Sequence, residues 1–218
     1  MSDSVSLLMF ILFFFGFLLL IRDLRTGFIS IGMKIKRATP AQFSFSEFLK
    51  MKSSQAMLNQ YYYFSEENVK SLGHRYTGRL DGAILHWEET AILDLVIEYK
   101  FPNLFLPKKA RSEDVFQLGL YALALQESGF SCSSTMLVTI YCLQENAKRC
   151  IRKKKSRNCW QCNVGRKFTT RFRPERVIKK LKQLDEVWYY GRRPKPTKEV
   201  SRCRICPYSD GRCNYSSV

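Results

Sequence analysis

The feature that most constrains this chain is a pair of apolar segments split by three polar residues. Arg79–Trp87 (RLDGAILHW) and Ala91–Lys100 (AILDLVIEYK) are rich in Ile, Leu and Val, and Glu88-Glu89-Thr90 lies between them. Runs of this length and composition around a short polar turn form two antiparallel strands. A turn centred between Glu89 and Thr90 places Asp81 opposite Glu98, about 5 Å apart at Cβ. Lys100 then projects from the same face, one pleat further along. Neighbouring carboxylates repel each other unless a cation lies between them, and hard oxygen donors select Mg²⁺ or Mn²⁺. A lysine beside them can position a water or offset charge at a phosphate. Charge at the end of so apolar a strand is costly without a role, although the same trio also fits an ordinary surface. Asp94, on the same strand, can pair locally and is a weaker candidate.

The remaining elements build outward from this hairpin. Arg111 to Ser128 reads as a helix, with Ser112 as a plausible cap, acids in its first turn and Gly129 beyond its end. Thr135 to Leu143 is almost wholly apolar and reads as a central strand, and Pro174 to Tyr190 as a helix that opens on proline. Strand, strand, helix, strand predicts an α/β layer with a mixed central sheet flanked by helices. Helix signals over 45–70, with Ser46 as cap, predict that Tyr61-Tyr62-Tyr63-Phe64 packs a helix onto the core. His74 and His86 read as structural.

Three short motifs follow in order: G-R-L-D at Gly78–Asp81, I-E-Y-K at Ile97–Lys100 and Q-L-G-L-Y at Gln117–Tyr121. Together they resemble the RecB-type branch of the PD-(D/E)XK nucleases. Gln117 and Tyr121 are one helical turn apart and can address one site. The terminal Cys203-x2-Cys206-Pro-Tyr-x4-Cys213 is similar to the cysteine motif of the CRISPR-associated exonucleases of that branch, the fourth Cas family. The resemblance covers roughly residues 70 to 215 and implies a restriction-endonuclease-like core. It implies a metal held by Asp81, Glu98 and the backbone carbonyl of Tyr99. It further implies that Lys100 assists the attacking water and that Gln117 and Tyr121 organise the site. The implied activity is metal-dependent DNA cleavage, from single-stranded ends, and the implied second cofactor is a [4Fe–4S] cluster on Cys203, Cys206 and Cys213. The family's fourth cluster ligand precedes the core, yet no cysteine precedes Cys132 here. Cys159 or Cys162 could complete the set, and zinc or unligated thiols remain open at the three cysteines. A catalytically silent DNA-tethering protein of the same fold, or a nuclease of CRISPR spacer acquisition, are the alternative functions.

Charge favours a polyanionic partner, since 36 Lys and Arg against 19 Asp and Glu leave a net charge of +17. Between Glu145 and Glu175 there is no acid, and Lys153, Lys154, Lys155 and Arg157 with Trp160 make a candidate nucleic-acid track with one stacking ring. A solvated hairpin and an anionic lipid contact are the other readings of that strip.

Val5 to Ile21 carries no charge, and Arg22, Arg25, Lys34, Lys36 and Arg37 follow it. This predicts a single-span anchor over residues 1–24, a juxtamembrane linker over 25–44 and a nuclease domain over 45–218. By the positive-inside rule that domain lies in the cytoplasm. The late cysteines would then sit in a reducing compartment, where ligation is favoured over disulfides. Oligomeric state is not legible.

Overall fold

The computed structural model describes residues 9–18, 31–51, 60–152, 159–193, 200–207, 209 and 212–214. The chain divides into two compact units, 1–177 and 178–218. The first is built on a six-stranded mixed sheet in the order β1 to β6. Its strands are β1 (Thr39–Pro40), β2 (Tyr61–Ser71), β3 (Tyr76–Trp87), β4 (Ala91–Lys100), β5 (Met136–Tyr141) and β6 (Arg166–Arg171). The helices are α1 (31–37), α2 (Phe45–Lys50), α3 (Ser112–Glu127), α4 (Gln144–Arg152) and α5 (Pro174–Trp188), which crosses the unit boundary. The second unit adds α6 (Val200–Arg204).

The β3–β4 hairpin forms as the apolar runs predict, and it lies at the centre of the sheet. Its turn is centred on Glu89, since Trp87 pairs with Ala91, rather than between Glu89 and Thr90. That register alone would misalign the two carboxylates. A bulge between Ile84 and Leu85 corrects it, because Leu85 pairs with Leu93 and Ile84 with Leu95, leaving Asp94 without an opposite residue. Gly82 then faces Ile97, and the next residues outward are Asp81 and Glu98.

Strand β4 has Leu93, Leu95, Val96 and Ile97 almost wholly buried, as expected of a strand covered on both faces. It runs through α3 into the parallel neighbour β5, so α3 is a crossover helix packed on β2, β4 and β5. Ile31, Ile84, Leu95, Ile97, Val138, Ile140 and Trp160 form one apolar cluster, with Ile35, Tyr61 and Tyr63 against it.

The aromatic run is a strand, not part of a helix. Tyr61 and Tyr63 pack on that cluster, while Tyr62 and Phe64 pack on Phe43 and Phe48. Such alternation is the period of a strand, and aromatic residues favour it. The helix signals upstream are realised only in α2. Ser44, not Ser46, caps it: its Oγ accepts from the Glu47 amide while Glu47 Oε2 accepts from the Ser44 amide. Residues 52–59 of the expected helix lie outside the described residues.

The expected membrane-spanning helix is corrected. Among the described residues no helix is long and apolar enough to cross a membrane. The helical part described in the apolar run is 9–18, about 15 Å at 1.5 Å per residue, half of a hydrocarbon core of roughly 30 Å. The rest of the predicted anchor, including Arg22, lies outside the described residues. The single-pass localisation, with its cytoplasmic orientation, rested on that helix and is withdrawn with it.

Candidate active site

The β3–β4 ladder ends at Gly82 and Ile97, so Asp81 and Glu98 stand where the strands part. Asp81 Oδ2 accepts a hydrogen bond from the backbone amide of Tyr99 at 2.7 Å. This ties Asp81 to the residue whose carbonyl the resemblance assigns to the metal. Glu98 is only 4% exposed. Its Oε1 accepts from Lys100 Nζ at 2.7 Å and from Gln117 Nε2 at 3.0 Å. Its Oε2 is buried with no hydrogen-bond partner.

Gln117 brings the strand and helix halves of the site together. Its Oε1 accepts from Lys100 Nζ at 2.8 Å, and its Nε2 donates both to Glu98 and, at 2.6 Å, to the Tyr121 hydroxyl. One amide thus sets the positions of three other side chains. All five residues singled out in the motifs, Asp81, Glu98, Lys100, Gln117 and Tyr121, gather at this one end of the sheet.

Burial pushes the Asp81 and Glu98 carboxyls above the ordinary range, and the Asp81 charge adds to the effect on Glu98. Burial alone would lower Lys100. The hydrogen bond and charge of Glu98, with Asp114 and Asp81, outweigh it and raise the ammonium above its usual value. Lys100 therefore stays cationic at neutral pH and acts as a donor of hydrogen bonds. Burial likewise raises the Tyr121 phenol.

Two features escaped the sequence reading. Asp114 is buried 3.7 Å from Lys100 Nζ and accepts from the Tyr141 hydroxyl at 2.5 Å, which itself accepts from the Arg111 amide. In the sequence Asp114 reads only as a first-turn acid, yet it precedes Gln117 by three residues and so shares its helix face. The glycines of the motifs are the second feature. A Cβ on Gly78 would lie 2.6 Å from the Tyr121 ring, and one on Gly119 would lie 2.6 Å from the Val177 side chain. They let the strand meet the tyrosine and α3 meet the start of α5.

His74 sits after β2, its Nε2 3.6 Å from Glu127 and its amide donating to Ser71 Oγ. His86 is buried, with Nδ1 on Asp94 and Nε2 on Glu88 at 3.1 Å, and Lys34 pairs with the same Asp94. These contacts bind α1 to the bulge and lie outside the carboxylate pair's own hydrogen bonds.

The nucleic-acid track is only partly placed. Lys153, Lys154, Lys155 and Arg157 lie outside the described residues. Trp160 is 8% exposed, within the apolar cluster, with Lys167 Nζ above its ring at 5.9 Å. A ring so covered offers no face to a base. Among the described basic residues of the strip, Lys148, Arg149 and Arg152 of α4 and Arg166 and Arg171 of β6 are exposed. In the second unit Cys203 is buried, and the Cys206 amide donates to the Cys203 carbonyl at 3.1 Å, closing a turn between them. Among the described residues no group of three or more His, Cys, Asp or Glu is close enough to hold a metal ion.

No protein-family profile and no curated protein matches the chain, so what this end of the sheet does is carried by its own geometry and chemistry.

Proposed function

We propose that the chain is a metal-dependent nuclease that hydrolyses DNA phosphodiester bonds from single-stranded ends. The observation that carries the reading is Glu98. It is a buried carboxylate with one oxygen held by Lys100 and Gln117 and the other, Oε2, without a partner. Leaving a buried acceptor unsatisfied costs about 1–3 kcal/mol, and more when it is charged. A cation between Glu98 and Asp81 would remove that cost and offset the burial that raises both carboxyls. The donors are all oxygen, which suits Mg²⁺ or Mn²⁺.

Asp81, Glu98 and the Tyr99 carbonyl would hold the ion. When bound, it supplies Lewis acidity toward a phosphate oxygen and toward water. The chain's own residues do the rest. Lys100, cationic and held by Glu98 and Gln117, donates hydrogen bonds to charge that develops on the scissile phosphate. Gln117 keeps the lysine, the glutamate and Tyr121 in fixed relation, so little reorganisation is needed as the reaction proceeds. The net charge of +17 draws the polyanion toward the protein. Cys203, Cys206 and Cys213 would supply three thiolates to a [4Fe–4S] cluster, or to zinc, in the second unit.

The test is cleavage of end-labelled single-stranded and duplex DNA by the full chain, with Mg²⁺, Mn²⁺ or EDTA, beside Asp81→Ala and Glu98→Ala. Cleavage that needs the metal and disappears in both variants, while DNA binding persists, is expected. Cleavage that survives both substitutions refutes the proposal.

A further inference from the structure

The first unit holds a second set of cysteines that the nuclease reading does not use. Cys142 directly follows β5. Because Tyr141 pairs with Arg166, Cys142 lies across from Gly165, whose added Cβ would come within 4.0 Å of the Cys142 Cβ. Three residues before Gly165 stands Cys162, and its amide donates to the Cys159 carbonyl at 3.4 Å, closing a C-x2-C turn. Trp160, buried in the apolar cluster, holds that turn against the sheet, and Cys159 packs on the same cluster. The fourth cysteine is on α4, which starts two residues after Cys142. Ala147 is a buried residue of that helix, and Cys150, three residues on, shares its face.

Electrostatics agree with this placement. Burial pushes the Cys142 thiol up, and Cys150 and Cys162 add to it. Burial also raises Cys159, with Cys142, Cys162 and Cys150 contributing, while Lys167 opposes them. Each pair named is thus close enough to feel the other's charge. No disulfide joins them.

We propose that Cys142, Cys150, Cys159 and Cys162 form a tetrathiolate Zn²⁺ site, separate from the Cys203–Cys213 motif. Four cysteines suit tetrahedral zinc, with the C-x2-C turn as one ligand pair. As placed, the four cysteines do not form a group close enough to hold an ion, so binding requires the ion to draw the sulfurs together as it deprotonates them. Four thiolates on one Zn²⁺ leave two negative charges, and Lys167, whose charge already acts on Cys159, would offset part of them. The ion would tie α4 to the Cys159 turn and so join the two ends of the basic segment 152–157. It would also commit Cys159 and Cys162, leaving neither to complete the C-terminal motif. This site is independent of whether the chain cuts DNA.

The experiment measures zinc, iron and acid-labile sulfide in full chain purified without oxygen, together with single Cys→Ser variants. Cys142→Ser and Cys150→Ser are each expected to lower zinc by about one ion per chain, and Cys203→Ser to leave that ion in place. Zinc unchanged in both of the first two variants overturns the proposal. Iron with sulfide at these positions, or a Cys159–Cys162 disulfide, also overturns it. Should the variants fail to fold, alkylation of the wild-type chain with and without a zinc chelator decides. The four thiols should become reactive together when zinc is removed, and reactivity indifferent to the chelator refutes the site.

Discussion

Replacing Gly78 by alanine tests whether the strand and the helix of the site are fitted to each other. In a strand interior, alanine is ordinarily better than glycine by roughly 0.5–1 kcal/mol, because glycine has more freedom to lose. Here the new methyl would sit 2.6 Å from Tyr121 Cε1. Carbon atoms rest at about 3.5–4.0 Å, so the ring must retreat by roughly 1 Å. Tyr121 is buried, and its hydroxyl accepts from Gln117 Nε2 at 2.6 Å, so the retreat strains the bond that sets Gln117. Overpacking of this kind costs about 1–3 kcal/mol. Against the glycine gain, a net loss of up to about 2.5 kcal/mol remains. Urea unfolding measures it, with Tyr121→Leu as the second arm of a double-mutant cycle, since leucine has no atom at the Cε1 position. In that background Gly78→Ala should turn neutral or stabilising, a coupling of about 1–3 kcal/mol. Cleavage by the single variant should fall as well, because Gln117 also positions Lys100. Gly78→Ala that is stabilising in the wild-type background, or that has the same effect in both backgrounds, refutes the fit between strand and helix.

Three further outcomes follow from the charges. Asp81 and Glu98 both have raised carboxyl pKa values, so each binds its proton more tightly when folded, and stability without divalent metal should fall as pH rises above about 4.5 through their folded values. Mg²⁺ at a hundredfold excess over its dissociation constant should restore about 2.7 kcal/mol at neutral pH, and little in acid or in Glu98→Gln; thermal melts with and without Mg²⁺ that coincide at neutral pH would count against the metal site. For His86, burial acts to lower the pKa, but Asp94 and Glu88 outweigh it and the net shift is upward. Its contribution to stability is therefore full below about 6.5 and lost as pH rises through the folded value, so His86→Asn should flatten that limb of a pH–stability profile, and an unchanged profile would show that the imidazolium is not what stabilises the bulge. Asp114→Asn weakens a hydrogen bond to a charged acceptor and should cost about 1.5–3 kcal/mol, with Tyr141→Phe adding little to it in denaturant melts; additive losses would mean that the two groups act separately.

What was legible in the residues, and what was not, divides along physical lines. The hairpin, α3, β5 and α5 announce themselves because apolar periodicity is a local property, and β4 is buried on both faces. The run Tyr61–Phe64 misleads for the same reason: four consecutive aromatics carry no period, so only the partner surfaces on either face of β2 reveal the strand. Asp114 was hidden because its local role, an acid in a first helical turn, fully accounts for it until β4 is brought alongside. The cysteine group of the first unit was hidden because Cys142 and Cys150 lie in separate elements from the C-x2-C turn, and it is the β5–β6 register that closes the distance.

The placement of Asp81 opposite Glu98 is more instructive. A turn centred half a residue further along predicts it, whereas in the structure a bulge aligns Gly82 with Ile97 and leaves the two carboxylates as the next residues beyond the ladder. Without that bulge, the turn centred on Glu89 would pair Glu98 with Leu80, whose side chain is fully buried, and turn Asp81 to the opposite face. The bulged residue is Asp94, a charge in the middle of the most apolar strand of the chain. An aspartate there cannot sit flat in a ladder between apolar neighbours without leaving its carboxylate unpaired. Displaced by the bulge, it meets His86 and Lys34. The residue that looked like a weaker candidate for the site is thus the one that sets its register. Asp94→Leu, which removes the reason for the bulge, should cost the carboxylate pair its alignment more than it costs the core its packing.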